Sequence, residues 1–355
     1  MSQADNYEAA AKGAAESVAE FHEEDRGWTG RLQHALHVTP ALVPLIVLVF
    51  AIALFGILLG TKFFSPFALT LILQQVQIVG VLAAAQTLII LTAGIDLSVG
   101  AVAVFCTVIM GQFTFRYGIP APISVGIGLA AGTALGAISG WLVSRVKLPP
   151  FIVTLGMWQI VLAANYLYSA NETIRSQDIA EQGPFLQFLG TKLQFGGATF
   201  TLGVVLMVLL VLVLAYALRS TSWGRHVYAV GDDPEAAELA GVDVHKTLMS
   251  VYMVAGFICG LAAWVMIGRF SSVSPSASTG VVGNIQAITA VVIGGISLFG
   301  GRGSILGALF GALIVGVFEL GLRMAGADPQ WTFMLIGMLI IGAVTVDQWI
   351  RKVTA

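Results

Sequence analysis

Residues 41–60 read Ala-Leu-Val-Pro-Leu-Ile-Val-Leu-Val-Phe-Ala-Ile-Ala-Leu-Phe-Gly-Ile-Leu-Leu-Gly, an unbroken run without a single charge. A core strand needs far less; a helix crossing hydrocarbon needs about 20 mostly apolar residues. Residues 202–218 and 334–346 are equally free of charge. In water such surface would drive aggregation, whereas in lipid it matches the solvent. The whole chain follows suit: 57% of its 355 residues are hydrophobic and 10% are charged, against about 25% charged in soluble domains.

The fold predicted is therefore all-α and polytopic, with about ten transmembrane helices. The windows are 41–60, 68–91, 95–113, 121–143, 150–169, 201–218, 247–268, 282–299, 304–322 and 330–349. Periodicity is weak because a helix between lipid and protein is apolar all round. Residues 1–40 are mixed and acidic, and the first apolar run starts too late for a signal peptide. They read as a cytoplasmic N-terminal tail, with 28–37 suited to the membrane surface, ahead of a transmembrane domain over 41–350. With the N-terminus inside, eleven of the 17 lysines and arginines fall on the inner side, as the positive-inside rule asks. Both termini are then cytoplasmic. Trp331 and Trp349 bracket the last span, roughly 27 Å apart at helical rise.

The net charge of −2 gives no basic face for nucleic acid. Cys106 and Cys259 lie inside apolar blocks and read as small hydrophobes. The five histidines, at 22, 34, 37, 226 and 245, fall outside the spans, which argues against an intramembrane metal or proton relay. Gly128, Gly132, Gly136 and Gly140 recur at every fourth position and line one helix face for close packing within the chain. Gly307 and Gly311 repeat the pattern briefly.

Two glycine-rich loops interrupt the apolar blocks: Thr92-Ala93-Gly94-Ile95-Asp96-Leu97-Ser98-Val99-Gly100 and Gly294-Gly295-Ile296-Ser297-Leu298-Phe299-Gly300-Gly301. They adjoin spans three and eight and make both candidates for discontinuous helices, which are tolerated at membrane depth only against protein or a cavity. A faint likeness at an offset of 201 residues joins Gly94-Ile95-x-Leu97 to Gly295-Ile296-x-Leu298, and Gly100 to Gly301. Asp96 reads as the N-cap of a restarting helix. Asp347 and Arg351, and Glu319 and Arg323, are spaced for i,i+4 pairs. The remaining polar residues in the spans are amides: Gln74, Gln75, Gln77, Gln86, Gln159, Asn165, Asn284 and Gln286. Each taken alone reads as interhelical glue. As a set, Gln74, Gln75, Gln77, Gln86, Asn165, Asn284 and Gln286 form a candidate path for a neutral polyhydroxylated solute.

The loop over 219–246 contains Gly231-Asp232-Asp233-Pro234-Glu235-Ala236-Ala237-Glu238-Leu239-Ala240-Gly241. Asp233 as N-cap, Pro234 at the first helical position and Gly241 as a left-handed stop predict a capped two-turn helix. Two readings fit it equally: a docking element for a soluble partner, or an inert surface helix.

At these motifs the chain resembles bacterial ABC-importer permeases for monosaccharides, the ribose, xylose and fructose type. The likeness covers about residues 41–350. The stretch Ala93-Gly94-Ile95-Asp96-Leu97-Ser98-Val99-Gly100 is specific to the sugar branch; the related branched-chain amino-acid permeases usually lack it. The resemblance implies the all-helical fold of vitamin B12 importer permeases. It implies that Gly231, Asp232, Asp233, Pro234, Glu235, Ala236, Ala237 and Gly241 form a coupling helix seated on an ATPase subunit. It makes Gly94, Asp96, Leu97, Ser98, Gly100, Gly294, Gly295, Gly300 and Gly301 family loop motifs. The acidic tail is longer than that family's pattern.

No P-loop occurs, and the longest external loop, 170–200, is too small to be a solute-capturing domain. The resemblance implies that this chain is not an enzyme and holds no cofactor. ATP and magnesium would sit on a separate ATP-binding subunit, and solute would arrive on a periplasmic or extracellular binding protein landing at 171–194. Two permease copies in the bacterial inner membrane would complete the assembly. The alternatives are an ion-gradient-driven carrier, the same permease type serving an amino acid, nucleoside or furanosyl signal, and a non-transporting scaffold.

Overall fold

The computed structural model describes residues 41–354. The tail at 1–40 and its surface segment at 28–37 lie outside the described residues, as do the side chains of Asp347, Trp349 and Arg351. The helices, in order, are α1 Leu42–Leu59, α2 Pro66–Leu91, α3 Val99–Phe115, α4 Ala121–Ser144, α5 Pro150–Ser169, α6 Ser176–Gln182, α7 Leu202–Ser220, α8 Ser222–Asp232, α9 Pro234–Leu239, α10 Val244–Phe270, α11 Ala277–Ile293, α12 Ile305–Met324 and α13 Pro329–Thr354. Each of the ten predicted windows holds one apolar helix. Among the described residues, seven of these helices are long and apolar enough to cross a membrane, and shorter apolar helical stretches lie at Val99–Phe115, Ala277–Ile293 and Gln330–Thr345. The helix starts follow local chemistry. Ser65 Oγ accepts from the Ala68 amide at 3.2 Å ahead of Pro66, Ser304 Oγ accepts from the Leu306 amide at 3.3 Å, and Pro149–Pro150 opens α5.

α10 and α2 form the centre. From Val79 to Leu91 every residue of α2 is buried, as expected of a helix with protein on all sides. α10 packs along α4 over most of its length, and the glycine ladder is the reason. A Cβ on Gly136 would lie 2.2 Å from Tyr252 O, and one on Gly256 would lie 2.1 Å from Gly132 O. Gly128 faces Met110, and Gly140 faces Tyr252 and Met249. The ladder thus serves packing within the chain. Gly311 faces Ala290 of α11, and Gly307 faces Gly294 just past its end, in the same manner. Cys106 and Cys259 are buried and free.

The segment between α5 and α7 departs from an all-helical reading. After α6 and a 3₁₀ stretch, Pro184–Gly190, strands β1 Lys192–Phe195 and β2 Ala198–Thr201 form an antiparallel hairpin pairing Lys192 with Thr201. Gly196 and Gly197 turn it, at φ 57° and 82°. Gly-Gly between alternating residues is a hairpin signal; the apolar bulk on either side masks it in the sequence. The hairpin, the α2 start and the α10 end share one end of the bundle: Thr199 donates to Thr70 Oγ1 at 2.8 Å, and Gly190 abuts Gly268. α8 and α9 lie at the other end, which carries the glycine loops.

Replacing Gly136 with Leu should destabilise the protein by about 1–3 kcal/mol or more through overpacking. The same change at Gly126, where an added Cβ meets nothing within 4 Å, should be nearly neutral. Thermal unfolding of the two variants in one detergent checks the contrast.

Candidate functional site

Spans three and eight are each a short helix of 17 residues entered through irregular backbone. α2 ends in a Schellman turn, Gly94 N to Ile89 O at 3.0 Å and Ala93 N to Ile90 O at 2.9 Å, with Ala93 left-handed at φ 58°. Residues 92–98 then run back into the bundle, so α3 restarts at depth. α11 likewise starts inside the bundle, after the extended segment 272–276. The two restarts meet: a Cβ on Gly100 would lie 2.0 Å from Gly280 O and 3.0 Å from Asn284 N. Two helix N-termini therefore converge, bringing together their dipoles' positive ends.

Buried irregular backbone must find partners, and here the amide side chains supply them. With its nitrogen toward the carbonyl, Gln86 donates to Asp96 O at 3.1 Å and accepts from Asp96 N at 3.2 Å. Thr154 Oγ1 donates to Ile95 O and accepts from Leu97 N, both at 3.1 Å. Asn284 Nδ2 donates to Leu97 O at 2.8 Å. Ser98, not Asp96, occupies the N-cap position of α3. Asp96 stands two residues earlier, where its Oδ1 accepts from both Ser98 N and Ser98 Oγ at 2.6 Å. The loop's re-entry shifts the cap, because the chain has to turn before the helix starts.

The second glycine loop closes α11. Gly295 N to Val292 O at 3.0 Å and Ile296 N to Val291 O at 3.2 Å form the same Schellman turn, with Gly295 at φ 74°. Its left-handed residue lies 202 positions after Ala93, one more than the sequence likeness gives. The turn ends α11 at Ile293, so residues 294–299 are loop and the predicted window 282–299 shifts to Ala277–Ile293. The lost start signal was Ser276, whose Oγ accepts from Thr279 N at 3.4 Å.

The predicted loop helix exists as α9. Asp233 Oδ1 accepts from Glu235 N at 2.9 Å and Ala236 N at 3.0 Å. Val242 N to Ala237 O at 3.0 Å closes it over Gly241, at φ 84°. Asp243 then caps α10, and the Lys246 amide and ammonium hold its carboxyl below the usual carboxylate range. Sequence reading missed α8, an amphipathic helix burying Gly224, Val227, Val230 and Gly231. Thr221 as N-cap and the Trp223–Val227–Val230 spacing were its signals. It also missed Leu239, which stands 91% exposed among the charges of α9.

The three motifs meet in one clamp. Gly301 N donates to Leu91 O at 3.0 Å. A Cβ on Gly231 would lie 1.8 Å from that carbonyl, and one on Gly300 would lie 2.4 Å from Gly231 O. Tyr228 OH donates to Gly303 O at 2.9 Å, and burial pushes the Tyr228 hydroxyl's pKa up. Only Asp233 separates α8 from α9. The exposed helix is thus joined, through Asp232, to both glycine loops.

A cavity of about 270 Å³ lies between α2, α3, α10 and α11, lined by Gln75, Leu82, Gly100, Phe270, Thr279 and Gln286 among others. Two of the seven candidate path amides, Gln75 and Gln286, face it. Gln77 instead binds Gln74 O and Thr201 Oγ1, Gln74 is half-buried, and Gln86 and Asn284 tie loop 92–98. Asn165 is buried without a partner among the described residues. Among the described residues, no group of three or more His, Cys, Asp or Glu could hold a metal ion.

Residues 68–344 match the family described as branched-chain amino acid transport system, permease component. The chain is 66% identical to the fructose import permease protein of Rhizobium meliloti over 338 residues, covering 95% of this chain and 93% of that one. It is 33% identical to the ribose import permease protein of Escherichia coli strain K12, over 86% of this chain and 92% of that one. It is 28% identical to the xylose transport system permease protein of Haemophilus influenzae, over 87% and 96%. No solved structure matches the chain.

If the clamp is one unit, Gly231→Ala should expose both loops at once. Amide hydrogen exchange of the detergent-solubilised chain should rise together at 92–98 and 294–303, with the hairpin at 192–201 unchanged. A change confined to one loop would show that the two move separately.

Proposed function

We propose that this chain, which belongs to the family of branched-chain amino acid transport system permease components, is the membrane permease subunit of an ABC-type importer for a monosaccharide. It is a multi-pass membrane protein and a transport subunit, not an enzyme. Its 66% identity to a fructose import permease, with weaker likeness to ribose and xylose permeases, supports a sugar as cargo. The cavity agrees in chemistry: two amides, a Thr, a Ser and two helix N-termini suit hydroxyl groups, and no ionised side chain lines it.

The observation that carries the mechanism is the clamp, which joins α9 to both broken spans. A separate ATP-binding subunit seats against α9 with Leu239, Glu235 and the Ala236 face as its contacts, and ATP with magnesium is held on that subunit. Closure of the ATPase pair moves α9; Asp233 passes the movement to α8, and Gly231 passes it to Leu91 and Gly301. The ends of α2 and α11 shift, and access to the cavity switches from one side to the other. Both termini and α9 are then cytoplasmic, in a bacterial inner membrane. The α6–hairpin end faces outward, where residues 171–194 receive a sugar-loaded binding protein. Two permease copies match two ATPase domains. Affinity resides in the binding protein, so the cavity need hold its cargo only weakly.

The complete importer in proteoliposomes tests this. Leu239→Asp and Glu235→Lys should each lower sugar-stimulated ATP hydrolysis at least about tenfold, since a few contacts carry most of an interface's energy; membrane insertion should stay normal. Unaltered coupling would overturn the role of α9. Uptake of sugar by the permease alone, without ATPase, would overturn the importer reading in favour of a carrier driven by an ion gradient.

A further inference from the structure

Glu319 sits in α12 with its side chain 21% exposed. Its Oε1 accepts from Arg323 Nη2 at 2.9 Å, which is the local i,i+4 pair expected from spacing. Its Oε2 does something the spacing does not reveal: it accepts from Gln75 Nε2 across the helix interface, at 3.1 Å. Gln75 lines the cavity and Glu319 does not.

The chemistry of this contact has a direction. A primary amide offers a donor on one side and an acceptor on the other, and turns over by a rotation of its last torsion. A carboxylate accepts and never donates, and Arg323 Nη2 already holds the other oxygen of Glu319 at 2.9 Å. One N–H of Gln75 is therefore committed to α12, which leaves Oε1 as the acceptor this side chain can offer the cavity. We propose that Arg323 and Glu319 are positioning residues for specificity: they make Gln75 a one-way acceptor, which reads a hydroxyl of the passing solute as a hydrogen-bond donor. A solute bearing an acceptor alone at that position faces oxygen against its own lone pairs and an unpaired buried group. The relay lets a weakly binding passage discriminate without a charge in contact with its cargo.

This inference rests on the importer reading and is tested in the same complete complex. Uptake of the transported monosaccharide is compared with that of its monodeoxyfluoro analogues, each normalised to its loading on the binding protein. Fluorine at carbon cannot donate a hydrogen bond. In the unaltered complex, one analogue should be carried about tenfold more slowly than the parent, the worth of one hydrogen bond. Glu319→Lys replaces the acceptor with a donor and turns the Gln75 amide over, so the ratio should fall to within about twofold. Glu319→Gln can still accept from Gln75 through its own oxygen and should keep most of the discrimination. A purely structural Glu319 would slow parent and analogue alike, leaving the ratio unchanged in Glu319→Lys, and that result overturns the proposal. So does equal uptake of all analogues by the unaltered complex. Failure of the unaltered complex to carry any monosaccharide would instead refute the reading on which the inference rests.

Discussion

Loop 92–98 crosses the interior of a bundle whose outside is hydrocarbon, and hydrocarbon offers its amides and carbonyls nothing. That constraint governs much of what the bundle does with its polar residues. Gln86, Thr154 and Asn284 come from three different helices and between them bond the backbone of Ile95, Asp96 and Leu97. Asp96 turns inward on Ser98 for the same reason. A span left unbroken would need none of them. The break is kept because a helix that restarts inside the bundle brings an N-terminus to a cavity, and α3 and α11 bring one each.

Glycine allocates the remaining space. At the clamp a single Cβ on Gly231 would occupy the position of the Leu91 carbonyl oxygen, and at the restart crossing a Cβ on Gly100 would do the same to Gly280. These are backbone-to-backbone contacts, with no flexible side chain to yield. Packed cores respond to strain by switching arrangement rather than by bending. A clamp of bare backbone therefore passes a displacement on instead of absorbing it.

The helical windows were legible because a charge-free run of twenty residues has few other uses, and α9 because its cap, proline and stop each carry a local cause. The first glycine loop was legible as a break, but not the depth at which it restarts, which is set by Gly280 nearly two hundred residues away. The amides were legible as a polar set and not as individuals. Sequence holds no sign that Gln86 would face Asp96 while Gln75 faced a cavity; both sit on α2, eleven positions apart, and the difference lies in which neighbours pack there. The convergence of three separately noted motifs is likewise tertiary. Nothing local in Gly231 announces that its partners are Leu91 and Gly301.

Clamp and cavity are separate places, and the helices between them are what make one speak to the other. From Leu91 at the clamp to Gln75 at the cavity, α2 rises roughly 24 Å without a break, buried over most of that length. α11 runs from Gln286 to the loop at Gly294, where Gly307 and Gly311 press it against α12. A rigid helix moved at one end moves at the other, so a small shift of two helix ends displaces the Gln75 and Gln286 walls relative to each other. Glu319 then has a second consequence. Because α12 holds Gln75 by one hydrogen bond, the orientation of that amide is tied to the α2–α12 contact.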